Sequence, residues 1–458
     1  MKHLLKKLDM MVRELIYYRC ERLLKRLSKR SSSKRGGFIM KANRVLTVIL
    51  LIAALSLTFA ASKVFIRAAT WDVAEGVKWI KEVFKKYEAA HPNVKINVQS
   101  ITQGYSDKIV TSIAGGTPPD LFMWWDYPRL AALDVLVPLE DIVDFSKVYP
   151  MLVKWVSYSG HVWGVAKDWT TRVIWYNKEV FDKYGVPYPT NDWTWEEFRE
   201  IAKKLTHPED GVWGFLVIPD PYAWEGYVKM NGGDYLSPDA KTMRGYLNSK
   251  ETIEAIKFLT DLYLKDGVSP SPSMIQASGG SYAMFESGRV AMIDSGSWFI
   301  GYMKAKKPGI TTKEIAKKFG CVFPPHPKGK EVKVMLHNAA WVVPKKAKHK
   351  DIALDIVKFL AQEGGRVMAE AGWALPISDE IAKEMNLYDD PILGVFLRLL
   401  PYSVEDPSFL KREDWWKNFA KYIGDAFDMI MMKKKTVEEA LNWAVEESEK
   451  ALEREGKK

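Results

Sequence analysis

Tryptophan side chains beside polar or flexible residues are the groups in this sequence best suited to bind a ligand. The chain has 18 Trp residues, and every one follows Ala61. An indole offers a flat face on which the C–H face of a sugar ring can stack, while Asp, Asn, Arg and amide neighbours can hydrogen-bond to its hydroxyls. The pattern therefore indicates a carbohydrate-binding surface built from a few indoles. The motifs of this kind are Trp124-Trp125-Asp126, Asp168-Trp169-Thr170, Ser297-Trp298 and Gly372-Trp373.

A role in the core stays open for each of these indoles, because Trp is also a common residue of protein interiors. Trp415-Trp416 lies in a polar stretch and is a weaker candidate for a ligand wall. Packing is the better interpretation for the Trp residues that fit helix starts or helix faces, namely Trp155, Trp193, Trp195 and Trp443.

Motifs for catalysis and for metal binding are missing from the sequence. The seven His residues never stand three or four positions apart, so the helical two-histidine metal motif is absent. There is no Gly-x-Ser-x-Gly nucleophile motif and no phosphate loop of the Gly-x-x-x-x-Gly-Lys type. We therefore expect a protein that is not an enzyme and has no catalytic residue, metal or cofactor. A glycosidase needs only two carboxylates at a fixed separation, and the sequence leaves that alternative open.

Positive charge is concentrated at the amino terminus. The chain holds 67 Lys and Arg against 57 Asp and Glu, a net charge of +10. Residues 1–60 contain fourteen of the basic and three of the acidic residues, which leaves 53 basic and 54 acidic residues afterwards. A nearly neutral remainder argues against nucleic acid as a partner.

Residues 40–60 have the composition of a secretory signal peptide. A short basic start at Met40 precedes an uncharged apolar run at 45–57, and small residues follow at 58–60. The apolar run is shorter than the roughly 20 residues that span a bilayer, which favours cleavage over a retained anchor. We expect export to the periplasm or another extracytoplasmic space, and solubility after cleavage. Residues 1–39 are a doubtful extension, since the true start is suspected at Met40.

Helical and extended patterns alternate along the rest of the chain. Val77, Ile80 and Phe84 share one helical face, and alternation at 94–98 predicts a half-buried strand. Capping boxes that begin at Thr194 and Thr436 predict helix starts. The alternation is typical of an α/β protein. No Pro, Gly or Ser linker separates two contiguous domains, so we expect a chain that passes between two lobes more than once.

Three blocks of sequence follow one another in a recognisable order. The first is residues 103–108 with Ala-Gly-Gly-Thr-Pro-Pro-Asp-Leu-Phe at 114–122. The second spans the motifs at 160–165, 174–181, 193–198 and 202–206, and the third is 285–292 with Gly296-Ser297-Trp298. In this order the chain resembles the extracytoplasmic solute-binding proteins of ATP-driven importers, in the sugar-binding branch that includes maltose-binding protein. The resemblance covers nearly all of residues 63–458.

The resemblance implies a type II periplasmic-binding-protein fold, in which two α/β lobes are joined by crossover hinges and enclose the ligand cleft. The expected crossovers lie near 167–171, 324–332 and 373–377. The expected amino-terminal lobe is 61–168 plus 333–374, and the carboxy-terminal lobe is 169–332 plus 375–458. The family often has a proline shortly after Gly164-Val165, where this chain reads Ala166-Lys167-Asp168-Trp169. The sequence of the crossover beside the ligand therefore differs from the pattern that is common in the family.

The resemblance also implies a ligand-binding function. Trp124 or Trp125 and Trp298 fall where the family stacks sugar rings, Trp373 should face the cleft, and Trp224 is a looser candidate. Asp126, Asp168 and Thr170 are candidates for contacts with hydroxyls. The predicted ligand-binding residues are Trp124, Trp125, Asp126, Asp168, Trp169, Thr170, Trp224, Trp298 and Trp373.

The implied activity is that of the substrate-binding component of an ABC transporter. A sugar or oligosaccharide would be captured by hinge closure of a monomer and delivered to the permease subunits in the membrane. One alternative is an exported carbohydrate-active enzyme that uses paired carboxylates. Another is the same fold with a polyol, peptide or phosphate-ester ligand.

Overall fold

The structure is a computed structural model and describes residues 63–456. Two mixed sheets organise this part of the chain. The predicted extension at 1–39 and the predicted signal peptide at 40–60 lie outside the described residues. The strands are β1 (Val64–Thr70), β2 (Val94–Ser100), β3 (Leu121–Trp124), β4 (Ser157–Tyr158), β5 (His161–Val162), β6 (Val165–Thr171), β7 (Val173–Asn177), β8 (Trp213–Leu216), β9 (Val290–Ser295), β10 (Phe319–Val322) and β11 (Leu336–Val342).

Helices fill most of the sequence between the strands, as the alternating pattern predicts. The α-helices of the first half are α1 (Ala74–Ala90), α2 (Tyr105–Ala114), α3 (Tyr127–Ala132), α4 (Pro150–Trp155), α5 (Lys178–Lys183), α6 (Trp195–Lys204), α7 (Pro221–Met230), α8 (Lys250–Leu264), α9 (Pro272–Ala277) and α10 (Ser281–Glu286). Those of the second half are α11 (Trp298–Lys306), α12 (Thr312–Lys318), α13 (Lys350–Glu363), α14 (Arg366–Glu370), α15 (Asp379–Glu384), α16 (Leu393–Leu399), α17 (Ser408–Lys411), α18 (Lys421–Met431) and α19 (Val437–Arg454). Short 3-10 turns occupy Pro208–Asp210, Leu387–Asp389 and Leu400–Tyr402, and a π-helical turn occupies Trp416–Ala420.

Both predicted capping boxes are present. The Thr194 hydroxyl accepts a hydrogen bond from the backbone N–H of Glu197, whose carboxylate accepts one from the Thr194 N–H. Thr436 and Glu439 form the same pair at the start of α19. These bonds satisfy amides that the first helical turn leaves free, so α6 and α19 begin where the sequence predicts.

The first sheet has the strand order β2-β1-β3-β11-β6. Strand β1 is parallel to β2 and to β3, whereas β11 runs antiparallel to β3 and to β6. The carboxyl ends of β1, β3 and β6 therefore lie at the same edge as the amino end of β11. Residues directly after three strands and at the start of a fourth are brought together there.

The second sheet has the order β10-β7-β9-β8. Strand β8 is parallel to β9, and β7 is antiparallel to it, with Val173 opposite Ser295. The carboxyl ends of β8 and β9 therefore share an edge with the start of β7. Each sheet gathers its loops at one edge, which is where open α/β sheets bind ligands.

The chain passes from the first sheet to the second at a single residue, Arg172. Strand β6 stays paired with β11 as far as Thr171, which lies opposite Leu336, and β7 begins at Val173. The stretch at 167–171, where a crossover is expected, therefore belongs to β6. The chain returns from β10 to β11 through residues 323–335.

The core confirms the packing interpretation of several indoles. Trp155, Trp193 and Trp195 are buried, and Trp443 is half-buried against the same core. The thiol of Cys321 is buried in the second sheet, and its burial raises its pKa. Among the described residues, no helix has both the length and the apolar character needed to cross a membrane.

Candidate ligand-binding site

A cavity of about 1160 Å³, the main cavity, is lined by residues from the loop-bearing edges of both sheets. Its volume is above the range of about 300–1,000 Å³ that is typical of pockets for small molecules. The predicted residues that line it are Trp125, Asp168, Trp169, Thr170, Trp298 and Trp373. The structure thus brings six of the nine predicted residues to one cavity.

The first sheet contributes one side of the main cavity. Trp71 directly follows β1, Trp125 directly follows β3, and Thr170 lies near the end of β6. His337 and Asn338 enter from the start of β11. Trp71 and Trp125 meet edge to face, with ring centroids 5.2 Å apart, so each fixes the orientation of the other.

The second sheet contributes Trp298, the first residue of α11, directly after β9 and a two-residue turn. The side chain of Trp298 is 39% exposed, and its ring meets the His337 ring edge to face at 4.9 Å. A Cβ on Gly296 would stand 2.7 Å from the Trp298 ring and 2.9 Å from Thr170, so only glycine leaves room for this arrangement. The motif Gly296-Ser297-Trp298 therefore positions the indole.

The segment near the carboxyl end adds a further wall, with Phe409, Trp416 and Phe427. Trp416 is 37% exposed, and its ring lies nearly parallel to that of Tyr222 at 6.3 Å. The Tyr222 hydroxyl donates to the carbonyl of Leu336 at the start of β11. This contact links α7, which follows β8 of the second sheet, to β11 of the first sheet at the margin of the cavity.

A buried lysine joins two carboxylates on the first side of the cavity. Lys167 Nζ lies 2.7 Å from Asp168 Oδ2 and 3.1 Å from Asp72 Oδ2. Burial alone would lower the pKa of Lys167, but the charges of Asp168 and Asp72 raise it above its usual range. Burial raises the pKa of Asp168, while Lys167 opposes that shift. The three groups hold one another in place, and carboxylate oxygens remain able to accept hydrogen bonds from a ligand.

Two residues of β11 that line the cavity each have a buried polar atom without a partner. His337 Nε2 and Asn338 Nδ2 are buried and form no hydrogen bond with any described residue. Burial and the charge of Arg172 lower the pKa of His337 well below its usual value, so the imidazole is neutral near pH 7. A buried polar group without a partner costs about 1–3 kcal/mol.

The family of the chain follows from comparison with known sequences. The sequence model of the bacterial extracellular solute-binding proteins matches residues 70–367. The chain belongs to this family. An ABC transporter extracellular-binding protein of Pyrococcus horikoshii is 28% identical over 343 residues, which are 70% of this chain and 72% of that protein. The arabinooligosaccharide-binding protein of Bacillus subtilis is 24% identical over 400 residues, covering 81% and 88% of the two chains.

A solved structure of the same architecture supports the fold of this solute-binding protein. The ABC substrate-binding protein of Listeria monocytogenes in complex with cycloalternan superposes with a TM-score of 0.70 and 25% sequence identity. The match covers 87% of this chain and 100% of that one. The resemblance and the two-lobed α/β fold inferred from the sequence are confirmed.

Three predicted residues of the solute-binding protein lie outside the wall of the main cavity, and two of them stand behind Trp125. Trp124 is fully buried, donates from Nε1 to the carbonyl of Asp126 at 2.7 Å, and stacks on Trp125 at 5.0 Å. Asp126 is also buried, and its burial raises its pKa to about 7. A buried ring cannot offer a face to a ligand. In the structure these two residues lie behind Trp125 and do not line the main cavity.

Trp224 is the third predicted residue that does not line the main cavity. It lies on α7, is 4% exposed, and packs against Phe427 with ring centroids 4.8 Å apart. The helix turns this side chain towards the core, where it borders a smaller second cavity. Helical phase decides this placement, and the loose sequence match could not show it.

Sequence reasoning missed Trp71 and Tyr222 and gave Trp416 too little weight. Trp71 directly follows β1, at the edge where open α/β sheets bind ligands, but no strand was predicted there from the sequence. Trp415 is buried in the core, so of the weak pair only Trp416 reaches the cavity.

Charge around the main cavity of the solute-binding protein is mainly negative. The basic residues that line it are Lys167 and Lys421. The acidic ones are Asp72, Glu75, Asp168, Asp220, Asp425 and Asp428. No cluster of His, Cys, Asp or Glu within residues 63–456 has the geometry to hold a metal ion. The arrangement favours an uncharged ligand rich in hydroxyls over an anion.

Proposed function

We propose that this solute-binding protein captures an oligosaccharide between its two lobes and delivers it to the permease subunits of an ABC importer. The observation that carries the proposal is that indole rings from both sheets line one cavity. Trp71 and Trp125 come from the first sheet, and Trp298 comes from the second. Two relatives support the ligand class, since their names specify an arabinooligosaccharide and cycloalternan.

The aromatic surface fits sugar rings better than it fits a peptide or a phosphate ester. Trp298, Trp373 and Trp416 expose part of their rings to the cavity, so several sugar units could stack at once. A phosphate ester calls for a cluster of Arg or Lys. Lys167 is already bound to two carboxylates, and acidic residues outnumber basic ones around the wall.

The polar groups supply what hydroxyls need. Neutral His337 can donate from one ring nitrogen and accept at the other, and the Asn338 amide nitrogen donates. The Asp168 carboxylate accepts. A sugar hydroxyl both donates and accepts hydrogen bonds, so it suits groups of these kinds.

Capture would proceed by hinge closure about the crossovers. We assign residues 63–171 and 333–374 to the first lobe, and residues 173–332 and 375–456 to the second. Strand β6 leads into β7 through Arg172 alone, which allows rotation between the lobes with little sliding. A sugar that contacts both indole walls stabilises the closed state through its additional contacts. The permease would recognise that closed form. The protein would be exported and monomeric and would have no enzymatic activity.

Intrinsic tryptophan fluorescence provides the test. We expect quenching or a spectral shift with at least one neutral oligosaccharide, and no response to sugar phosphates. Trp298→Ala should abolish or strongly weaken the response. Trp443→Phe, on α19 and outside the cavity, should leave affinity unchanged.

Two results would overturn the proposal. One is the absence of a response to every sugar in a panel of mono- and oligosaccharides, with a response to a peptide or phosphate ester instead. The other is turnover of an oligosaccharide at a low ratio of protein to sugar, which would identify an enzyme.

A further inference from the structure

A second cavity of about 450 Å³, which we name the side chamber, adjoins the main cavity within the second lobe. Three residues line both spaces: Asp220, Trp298 and Tyr302. Asp220 precedes α7, whereas Trp298 and Tyr302 lie one helical turn apart on α11. The junction is therefore bounded on one side by the loop after β8 and on the other by α11.

Next to both sides of the junction, the main cavity has lining residues that do not border the side chamber. Ala305, near the end of α11, and Trp373 line the main cavity, and neither residue borders the side chamber. Tyr222, close to Asp220 in the sequence, and Asp425 also border the main cavity alone. A ligand that extends along the main cavity on both sides of the junction would pass the mouth of the side chamber.

The charged side chains that line the side chamber are one basic residue, Arg172, and two acidic ones, Asp220 and Asp294, so the lining does not favour an anion. Arg172 donates from Nε to Asp294 Oδ1 at 2.7 Å and from Nη2 to the Asp294 carbonyl at 2.9 Å. The Tyr227 hydroxyl donates to Asp294 Oδ2 at 3.1 Å, and Tyr282 and Ser295 share a hydrogen bond of 2.7 Å. The guanidinium and the Asp294 carboxylate neutralise each other, so neither favours a ligand of opposite charge.

Apolar side chains complete the chamber. Leu216, Trp224 and Ile218 line it, and Ile218 is 50% exposed. Hydroxyls and carboxylates beside aromatic and aliphatic surface are the combination that binds an uncharged sugar, as in the main cavity. The volume is less than half that of the main cavity, which suits a short substituent.

We propose that the side chamber binds a neutral sugar branch of an oligosaccharide whose main chain occupies the main cavity. This inference rests on the proposed function and deepens it, because it names a branched oligosaccharide as the substrate class. Trp298 serves both parts of the ligand, since its ring lies at the junction.

The test compares linear oligosaccharides with counterparts that carry one neutral sugar as a branch. Suitable pairs are maltotriose with glucosyl-maltotriose, mannotriose with galactosyl-mannotriose, and xylotriose with arabinosyl-xylotriose, each titrated by calorimetry. For the pair whose main chain binds, we expect the branched member to bind at least tenfold more tightly. Equal affinity within each binding pair, or tighter binding of the linear member, would overturn the inference while leaving the proposed function standing.

Two variants reduce the space in the side chamber from different walls. Ile218→Trp fills it from the exposed margin, and Ser281→Tyr fills it from the start of α10; neither residue lines the main cavity. Each should reduce the preference for the branched sugar to below threefold and leave the affinity for the linear one within twofold. Met274→Trp, on α9 and outside both cavities, is the matched control and should change neither affinity.

The outcomes of this experiment separate the two proposals. If both filling variants fold, as judged by their thermal transitions, and keep the full preference for the branched sugar, the side chamber does not bind the branch. If no sugar of any pair binds the unaltered protein, the oligosaccharide function itself fails, and the inference fails with it.

Discussion

The two sides of the main cavity are built differently. On the first side the ligand-facing groups are held by one another: Trp124 stacks behind Trp125, and Lys167 joins Asp72 to Asp168. On the second side Trp298 is 39% exposed. The first side is a fixed surface that can orient a sugar before closure, whereas the second gains most of its contacts when it covers the ligand. Preorganisation of one wall lowers the entropy cost of binding.

The largest effect is expected from Lys167→Met on the first side. The substitution leaves the carboxylates of Asp72 and Asp168 without their shared cation, and breaking a buried pair in this way costs about 3–5 kcal/mol. Urea denaturation should show the loss in the free energy of unfolding. A loss below about 1 kcal/mol would mean that the first side is not held by this cluster.

Replacing one indole on each side tests whether the first side is a fixed surface and the second side covers the ligand. Trp298→Ala should weaken oligosaccharide binding by about 2 kcal/mol, roughly 30-fold, as expected for a Trp at the centre of an interface. Its thermal midpoint should stay unchanged because the ring is exposed. Trp125→Ala should lower both affinity and thermal stability, since Trp124 and Trp71 lose their contacts with that ring. Calorimetry of binding and of unfolding would measure both, and identical behaviour of the two variants would remove the contrast.

Each side also has a buried carboxyl group behind it with a raised pKa. Burial raises the pKa of Asp126 to about 7, and that of Glu225, behind the second side, also to about 7. A carboxyl whose pKa is higher in the folded state stabilises the fold at low pH, and this contribution is lost as the pH rises towards 7. For Asp126 the free energy of unfolding should fall by about 1 kcal/mol between pH 5 and pH 6.

The variant Asp126→Asn tests this dependence, because an amide cannot ionise. Urea denaturation across pH 4.5–7 should give a flatter profile than the unaltered protein, and Glu225→Gln should have the same effect. An unchanged slope in both variants would show that neither group ionises within this range.

The smallest effect is expected at the exposed margin of the second side. Lys421 and Asp425 form an ion pair there, with side chains 59% and 40% exposed. Solvent screens such a pair, so Lys421→Met should change the free energy of unfolding by less than about 0.5 kcal/mol. It therefore also serves as the control for Lys167→Met. A loss comparable to that of the buried lysine would erase the distinction between the two sides.

The sequence predicted those features that depend on neighbouring residues. The capping boxes at Thr194 and Thr436, the face of α1 and the α/β alternation follow from local rules, and the structure confirms them. Six of the predicted site residues reach the main cavity: Trp125 and Trp298 follow strands, Asp168, Trp169 and Thr170 lie in the last part of β6, and Trp373 lies in a loop after α14.

Features that depend on the register of a strand or the phase of a helix were beyond the sequence. Trp124 and Trp125 are adjacent, and only the end of β3 at Trp124 decides which ring is buried. The sequence around Trp224 includes polar residues, but on α7 its side chain faces the core. Trp416 reaches the cavity at the start of a π-helical turn. No local sequence pattern predicts that turn.

The burial of Cys321 has a practical consequence for measuring closure. Its thiol is shielded in the second sheet with a raised pKa, so it should be inert towards maleimide reagents in the folded state. Within residues 63–456, cysteines introduced at exposed positions such as Leu133 and Met432 would therefore be the reactive ones. A donor and an acceptor dye at these sites would report the distance between the lobes during a titration with sugar.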